Sequence, residues 1–158
     1  MKVNSRGYFT KNRKMEKSAI YFTKKVAKKI FKGYSQVKEI KITFLKNQIE
    51  WTYGYHWIWN PKNGSVEIVI PGGYRGLYRS KWLIVHEMFH ARQRIEGRLN
   101  KSLLRVVYEN KRFFWSRTKK EFVDSKGKVF KNPPWEIEVR RRSGKIFGKK
   151  NTDLAWGS

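Results

Sequence analysis

The segment 81–96 constrains the fold most, because its apolar residues cover more than one side of a helix. These residues predict a buried helix, and they are Trp82, Leu83, Ile84, Val85, Met88 and Phe89. Ser80 is a candidate N-cap and Gly97 a candidate stop. The same helix carries the polar residues His86, Glu87 and His90. Because buried polar groups without partners are costly, the fold must supply partners for these three.

The run His86-Glu87-Met88-Phe89-His90 is an H-E-x-x-H motif. Two histidines four residues apart share one helix face and can bind a single zinc ion, while the intervening glutamate can reach a bound water. We therefore predict one zinc ion per chain, with His86 and His90 as ligands and Glu87 as the general base. The alternative is a pair of core histidines beside a core glutamate, without a metal.

A catalytic zinc site usually has a third protein ligand. His56 is the one other histidine, and the acidic residues after the motif include Glu136 and Glu138. Glu136 falls in the first turn of a helix that the run Asn-Pro-Pro at 132–134 predicts. Glu138 lies about 200° further round that helix, so only one of the two can face the metal. The alternative role of both glutamates is an ion pair with an arginine four residues on.

The remaining segments predict one α+β domain. An amphipathic helix is expected at 14–32, strands at 38–44 and 65–70, extended chain at 51–59, a helix at 103–113 and a hairpin at 122–130. The last helix is expected to end near Gly144. The predicted domain is therefore 1–144, followed by a basic, flexible tail at 145–158.

The chain is strongly basic, with 37 Lys and Arg against 12 Asp and Glu, a net charge of +25. Such a charge repels itself unless it faces phosphate or another anionic surface, which makes nucleic acid the expected partner. The alternative is a composition without a specific partner. The candidate nucleic-acid-binding residues are Arg140, Arg141, Arg142 and Lys145.

Several classes of protein are excluded or disfavoured by what the sequence lacks. It has no cysteine, so disulfides, cysteine zinc ribbons and thiol nucleophiles are excluded. It has no run of 18 apolar residues, so no transmembrane segment is expected. Residues 1–7 lack the apolar run of a secretory signal. We therefore expect a cytoplasmic protein, in the host cytoplasm if it is viral, with the virion as an alternative location.

Two runs together carry a family resemblance: 82–93, which contains the motif, and Pro-Trp-Glu-Ile-Glu-Val at 134–139. They resemble the small gluzincin-type (HExxH…E) zinc metallopeptidases of the kind encoded by phages and other viruses, which combine an HEMxHxxQ-like helix with a PWEIEA-like helix. The resemblance covers residues 80 to 142 and implies that Glu136 is the third zinc ligand. At the position of a small alanine in the family pattern, this chain has Val139.

The resemblance also implies a fold and a reaction. The fold is zincin-like: an N-terminal helix and a small mixed sheet, then an active-site helix, then a C-terminal ligand helix. The reaction is hydrolysis of a peptide bond in a protein or peptide substrate by zinc-bound water that Glu87 activates. Tyr108 and His56 are unassigned candidates for stabilising the oxyanion, and the strand at 65–70 is a candidate edge for an extended peptide.

Three functions are therefore open. The first is a zinc metallopeptidase acting on or near nucleic acid. The second is a basic, virus-encoded nucleic-acid-binding protein with a structural or vestigial zinc site. The third is a metal-dependent nuclease, which is disfavoured because nucleases usually hold Mg²⁺ with clustered carboxylates and this chain has two aspartates. The intact motif favours the first over the second, because a structural zinc has no use for Glu87.

Overall fold

The structure is a computed structural model that describes residues 1–7, 13–45, 56–71, 77–102 and 104–148. Within these ranges the chain forms three helices and two sheets, which confirms the α+β class. The helices are α1 (Arg13–Ile30), α2 (Leu77–Ile95) and α3 (Pro134–Phe147). None of these described helices is long and apolar enough to cross a lipid bilayer.

The first sheet is mixed and has the order β1-β2-β4-β3. Its strands are β1 (Lys2–Gly7), β2 (Glu39–Leu45), β3 (His56–Asn60) and β4 (Ser65–Pro71). The strands β1, β2 and β4 are parallel, and β3 runs antiparallel to β4. The helix α1 connects β1 to its parallel neighbour β2, as a parallel pair requires.

The main core lies between this sheet and the helices α1 and α2. Alternate residues of β2 and β4 are buried and pair across the two strands: Ile40 with Val66, Ile42 with Ile68, and Phe44 with Ile70. Successive side chains of a strand point to opposite faces, so this pattern gives the sheet one apolar face. Buried residues of α1 and α2 belong to the same cluster. The helix α2, which carries the H-E-x-x-H motif, is therefore held against the sheet.

The second sheet is an antiparallel meander in the order β5-β6-β7-β8-β9. Its strands are β5 (Leu99–Ser102), β6 (Arg105–Tyr108), β7 (Lys111–Ser116), β8 (Glu121–Asp124) and β9 (Val129–Phe130). A second, smaller core lies on it and includes Trp135 of α3. The hairpin expected at 122–130 is confirmed as β8 and β9.

The helix expected at 103–113 is wrong, because that segment forms the hairpin of β6 and β7. Glu109 and Asn110 turn the chain with φ angles of 53° and 65°, the left-handed values of a two-residue hairpin turn. The flanking residues are mainly β-branched or aromatic, which favours strands. In this segment the β-branched and aromatic composition indicates the structure better than the spacing of the apolar residues does.

Three helix boundaries differ from the sequence predictions. The helix α2 begins at Leu77, so Ser80 is a buried residue inside the helix and not its N-cap. The N-cap of α3 is Pro133, without a side-chain hydrogen bond, and not Asn132. The helix α3 continues through the buried Gly144 to Phe147. Residues 145–147 therefore belong to the helix, while 149–158, together with 51–55 of the expected extended segment, lie outside the described residues.

Candidate metal centre

The helix α2 supplies two histidines from its buried middle. Every residue from 82 to 91 is buried, so the helix packs on several sides. After Ile95 the chain reverses at Gly97, which has a φ of 75°. The N–H of Gly97 donates to the carbonyl of Arg94, and the N–H of Arg98 donates to that of Gln93, both at 3.0 Å, which is a Schellman C-cap.

The third member comes from the first turn of α3. The N–H groups of Glu136 and Ile137 both donate to the carbonyl oxygen of Pro133 at 3.0 Å, which starts the helix. A carboxylate in this turn is favoured by the partial positive charge of the helix N-terminus. The sequence prediction that places Glu136 here is confirmed.

His86, His90 and Glu136 form one group that could hold a metal ion. The Nε2 atom of His86 lies 3.2 Å from one carboxylate oxygen of Glu136, and the Nε2 atom of His90 lies 3.1 Å from the other. The two imidazole rings meet edge to face, with centroids 4.9 Å apart. Both histidines are buried, whereas the side chain of Glu136 is 24% exposed, which leaves one side of the group open.

The separations within this group fit a tetrahedral zinc ion. Nitrogen and oxygen ligands about 2.0–2.1 Å from a tetrahedral zinc ion lie about 3.3 Å from one another. The two nitrogen–oxygen distances of 3.2 and 3.1 Å, which run to different oxygens of Glu136, are close to that value, and one ligand atom from each of the three residues lies within 4.8 Å of the others. Two imidazoles and one carboxylate are also the donor set of one class of catalytic zinc sites. The residues present therefore fit a zinc ion.

The electrostatics of the group favour a cation between its members. Burial lowers the pKa of His90, but the neighbouring Glu136 carboxylate outweighs burial and raises the pKa of His90 to about 9. Burial raises the pKa of Glu136, but His90 and His86 hold it well below its usual range. The Glu136 carboxylate therefore stays charged, and a metal ion could replace the proton on His90.

Gln93 supports His90 from one turn further along α2. Its Oε1 atom lies 3.0 Å from Nδ1 of His90, which fits a ring that donates from Nδ1 and would offer Nε2 to a metal once the metal displaces the proton there. Its Nε2 atom donates to the carbonyl oxygen of Trp135 at 3.1 Å and to Glu138 at 3.3 Å. Gln93 therefore joins one ligand helix to the other. Gln93 is the glutamine of the HEMxHxxQ-like pattern, which gives it no role, although a side chain three residues after a ligand lies on the same helix face.

Glu138 has a structural role that differs from the one expected. It is buried, and Arg98 donates to its two oxygens at 2.8 and 2.6 Å, a bidentate pair. The Tyr108 hydroxyl also donates to it, and Arg142, four residues on, lies 3.2 Å away. Burial raises the pKa of Glu138, but the hydrogen bonds from Arg98 outweigh burial and lower its pKa to about 2.

The expected ion pair between Glu138 and Arg142 is therefore confirmed, but it is not an isolated pair. The contact with Arg142 exists, but it belongs to a buried network that also holds Arg98 and Tyr108. Tyr108 was a candidate for stabilising an oxyanion, and its hydroxyl instead binds Glu138. Burial and the neighbouring Glu138 raise the pKa of this tyrosine.

Two tryptophans pack against the histidine rings. Trp82, one turn before the motif, stacks on His86 with centroids 5.2 Å apart. Trp57 of β3 stacks on His90 at 6.4 Å. The position of Trp82 follows from helical spacing, whereas no sequence signal connects β3 with α2. These rings limit how the imidazoles can turn.

The other sequence candidates lie at several places. Glu87 is 4% exposed on α2, and its charge contributes to the raised pKa of His90. Arg140 donates to Asn132 at 3.1 Å, and burial lowers its pKa against the opposing charge of Glu136. His56 begins β3, but its side chain lies outside the described part of the structure. Arg141, Arg142 and Lys145 lie elsewhere on α3, where they line a cavity between the three helices.

The strand expected at the sheet edge is an interior strand. The segment 65–70 forms β4, which pairs with β2 on one side and with β3 on the other. Among the described strands, β3 and β1 are the end strands of this sheet. Of these two, β3 contacts the histidines, through Trp57.

Comparison of this chain with protein-family models, with curated proteins and with solved structures finds no match. Its similarity to gluzincin-type peptidases therefore remains a resemblance of the motifs at 86–90 and 134–139.

Proposed function

We propose that this protein is a zinc-dependent metallopeptidase with His86, His90 and Glu136 as its zinc ligands and Glu87 as its general base. The observation that carries the proposal is the approach of Glu136 to both histidines, at 3.2 and 3.1 Å. The motif and the later helix are 46 residues apart from His90 to Glu136, and the fold brings them together. An ion pair between Glu136 and the histidines would not require the buried carboxylate of Glu87 beside them as well.

Glu87 distinguishes a hydrolytic centre from a structural one. Three ligands leave a coordination position open, as catalytic zinc sites do. A structural zinc usually has four protein ligands. The same donor set also suits non-haem iron. A buried glutamate adjacent in sequence to one ligand has a function in hydrolysis, because it can accept a proton there.

The reaction follows from the roles of these side chains. Zinc in this group would act as a Lewis acid toward a water molecule and a carbonyl oxygen. Glu87 would take a proton from the water that adds to the scissile carbonyl carbon. It would return that proton to the amine nitrogen as the carbon–nitrogen bond breaks, so Glu87 ends the cycle as a carboxylate. Trp57 and Trp82 would hold the imidazoles in place.

The peptide substrate would bind beside β3. An extended chain can add to the end strand of a sheet by main-chain hydrogen bonds. Within the described residues β3 is such a strand, and its Trp57 ring lies against His90. A peptide along β3 would therefore run close to His90.

The test compares metal content with hydrolysis. Protein purified without chelator should contain about one zinc ion per chain by elemental analysis and should cleave casein or a peptide library. Glu87→Gln should keep the zinc and lose the cleavage, because the base is removed while the ligands remain. The control variant Glu121→Gln makes the same change on β8 and should keep both the zinc ion and the cleavage.

Five outcomes would contradict the proposal. Iron in place of zinc, or no metal after reconstitution, would exclude a zinc peptidase. Cleavage retained by Glu87→Gln would mean that another group activates the water. Zinc without cleavage in the wild-type protein would favour the alternative of a structural site, and cleavage of nucleic acid would favour a nuclease.

A further inference from the structure

A cavity of about 360 Å³ lies between α1, α2 and α3. It falls within the size range of small-molecule sites, about 300–1,000 Å³. Five cationic side chains line it: Lys29, Arg92, Arg141, Arg142 and Lys145. The apolar side chains that line it are Ile30, Phe89 and Ile146. Three helices thus converge on one basic cavity with an apolar part.

The cavity faces away from the metal group. On α3, Arg141, Arg142 and Lys145 lie about 140°, 240° and 180° around the helix from Glu136, whereas Arg140 lies about 40° from it. Arg140 accordingly interacts with the charge of Glu136 and does not line the cavity. The basic run at 140–142 is therefore divided between two sides of one helix.

Two of the five cations are held in place by the protein. Arg92 donates from Nη1 to the carbonyl oxygen of Ile30 at 3.1 Å, which ties α2 to the end of α1. Arg142 pairs with Glu138 at 3.2 Å. These contacts fix two walls of the cavity.

The other three cations have no acidic partner among the residues that the structure describes. Lys29, Arg141 and Lys145 are exposed, and within the described residues none of them forms an ion pair. No acidic residue lines the cavity in that part of the chain. Three uncompensated charges around one cavity repel one another, and a bound anion would relieve this repulsion.

The charge continues beyond the cavity. The exposed lysines Lys25 and Lys28 on α1, and Lys32 just after its end, lie within four residues of Lys29. A small anion would need the cavity alone, whereas a polyanion would use the lysines along α1 as well. The described residues that line the cavity include no exposed large apolar side chain, which a membrane-binding surface would use.

We propose that this cavity binds a phosphate of nucleic acid, with Lys29, Arg141 and Lys145 contacting the backbone. The inference does not rest on peptidase activity, because the metal group lies on another side of α3. Contacts to phosphate carry no base information, so sequence preference should be slight. Arg140, which the sequence grouped with these residues, is excluded from the site.

The test measures binding of a fluorescein-labelled oligonucleotide, single-stranded and duplex, by anisotropy over a range of salt. In the variant Arg141→Ala with Lys145→Ala, the slope of log affinity against log salt should fall by about 1.8 for duplex DNA, or about 1.4 for a single strand, as two phosphate contacts are lost. With the affinity at about 1 M salt unchanged, the affinity at about 100 mM salt should fall about 60-fold for duplex DNA and about 25-fold for a single strand. Lys29→Ala should lower the slope by half as much.

Matched controls separate a site from overall charge. Arg117→Ala with Lys119→Ala removes two exposed cations of the β7–β8 turn, the same change in net charge, and should leave the slope unchanged. Arg140→Ala should also leave it unchanged. An equal loss in the controls would overturn the proposal. So would loss of binding to phosphatidylserine vesicles or to polyglutamate with DNA binding intact.

Discussion

At the scale of single residues, Glu136 and Glu138 lie two positions apart and have different neighbours. Glu136 contacts the two histidines, whereas Glu138 contacts Arg98 and Tyr108. We expect Glu136→Ala to lower zinc affinity by more than about 100-fold, because loss of a supporting residue alone reaches that range. A zinc titration with a competing chelator measures this.

Glu138→Ala should act on stability instead. Removing the carboxylate leaves Arg98 without its bidentate partner, and hydrogen bonds to charged groups are worth about 1.5–3 kcal/mol each. We expect the free energy of unfolding in urea to fall by about 2–3 kcal/mol, less than for a fully buried pair because Arg98 can reach water. Zinc affinity should fall about tenfold at most. The reverse pattern would make Glu138 the metal ligand.

At the scale of elements, the sequence could predict those whose signal is local. The helix α2 has a long apolar run and a glycine stop, and α3 has prolines at its start, so both helices and their site residues were predicted. The sequence predicts a helix at 103–113, where the structure has the hairpin of β6 and β7, because the hairpin turn, Glu109 and Asn110, lacks glycine. The turn chemistry was therefore hidden, and only the β-branched and aromatic flanks indicated strands.

The C-cap of α2 gives a prediction at this scale. Gly97 and Gly33 have φ angles of 75° and 85°, and an added Cβ would meet nothing within 4 Å at either. Alanine should therefore cost about 1–2 kcal/mol of unfolding free energy at both, from the left-handed backbone alone. Only Gly97→Ala should also weaken zinc binding, because it disturbs the bond from Arg98 to Gln93, which supports His90. Equal zinc affinity in the two variants would contradict this role.

At the scale of the whole molecule, two cores meet at the metal group. The main core holds α2 against the first sheet, and the smaller core holds the start of α3 against the meander. The sequence could not show this, because Gln93, Arg98 and Glu138 are up to 45 residues apart and no local pattern pairs them. The sequence also could not show that Trp57 packs on His90. The order of the strands in the first sheet brings β3 next to α2, and that order has no local sequence signal.

The position of Glu136 therefore depends on its neighbour Trp135. This ring is 2% exposed and packs edge to face on Phe113 and Phe122, each with centroids 5.0 Å apart. Trp135→Ala should lower the free energy of unfolding by about 3–5 kcal/mol. It should also weaken zinc binding, because α3 loses the contact that fixes its first turn.

The matched control is Phe31→Ala, which removes a buried ring from the main core. It should cost a similar free energy, about 3–5 kcal/mol. Zinc affinity, measured by chelator competition below the unfolding transition of either variant, should fall for Trp135→Ala and stay near the wild-type value for Phe31→Ala. A smaller change, Trp135→Phe, should restore part of both losses, because a ring still contacts the meander. If both alanine variants bind zinc equally well, the meander stabilises the fold without positioning the ligand helix.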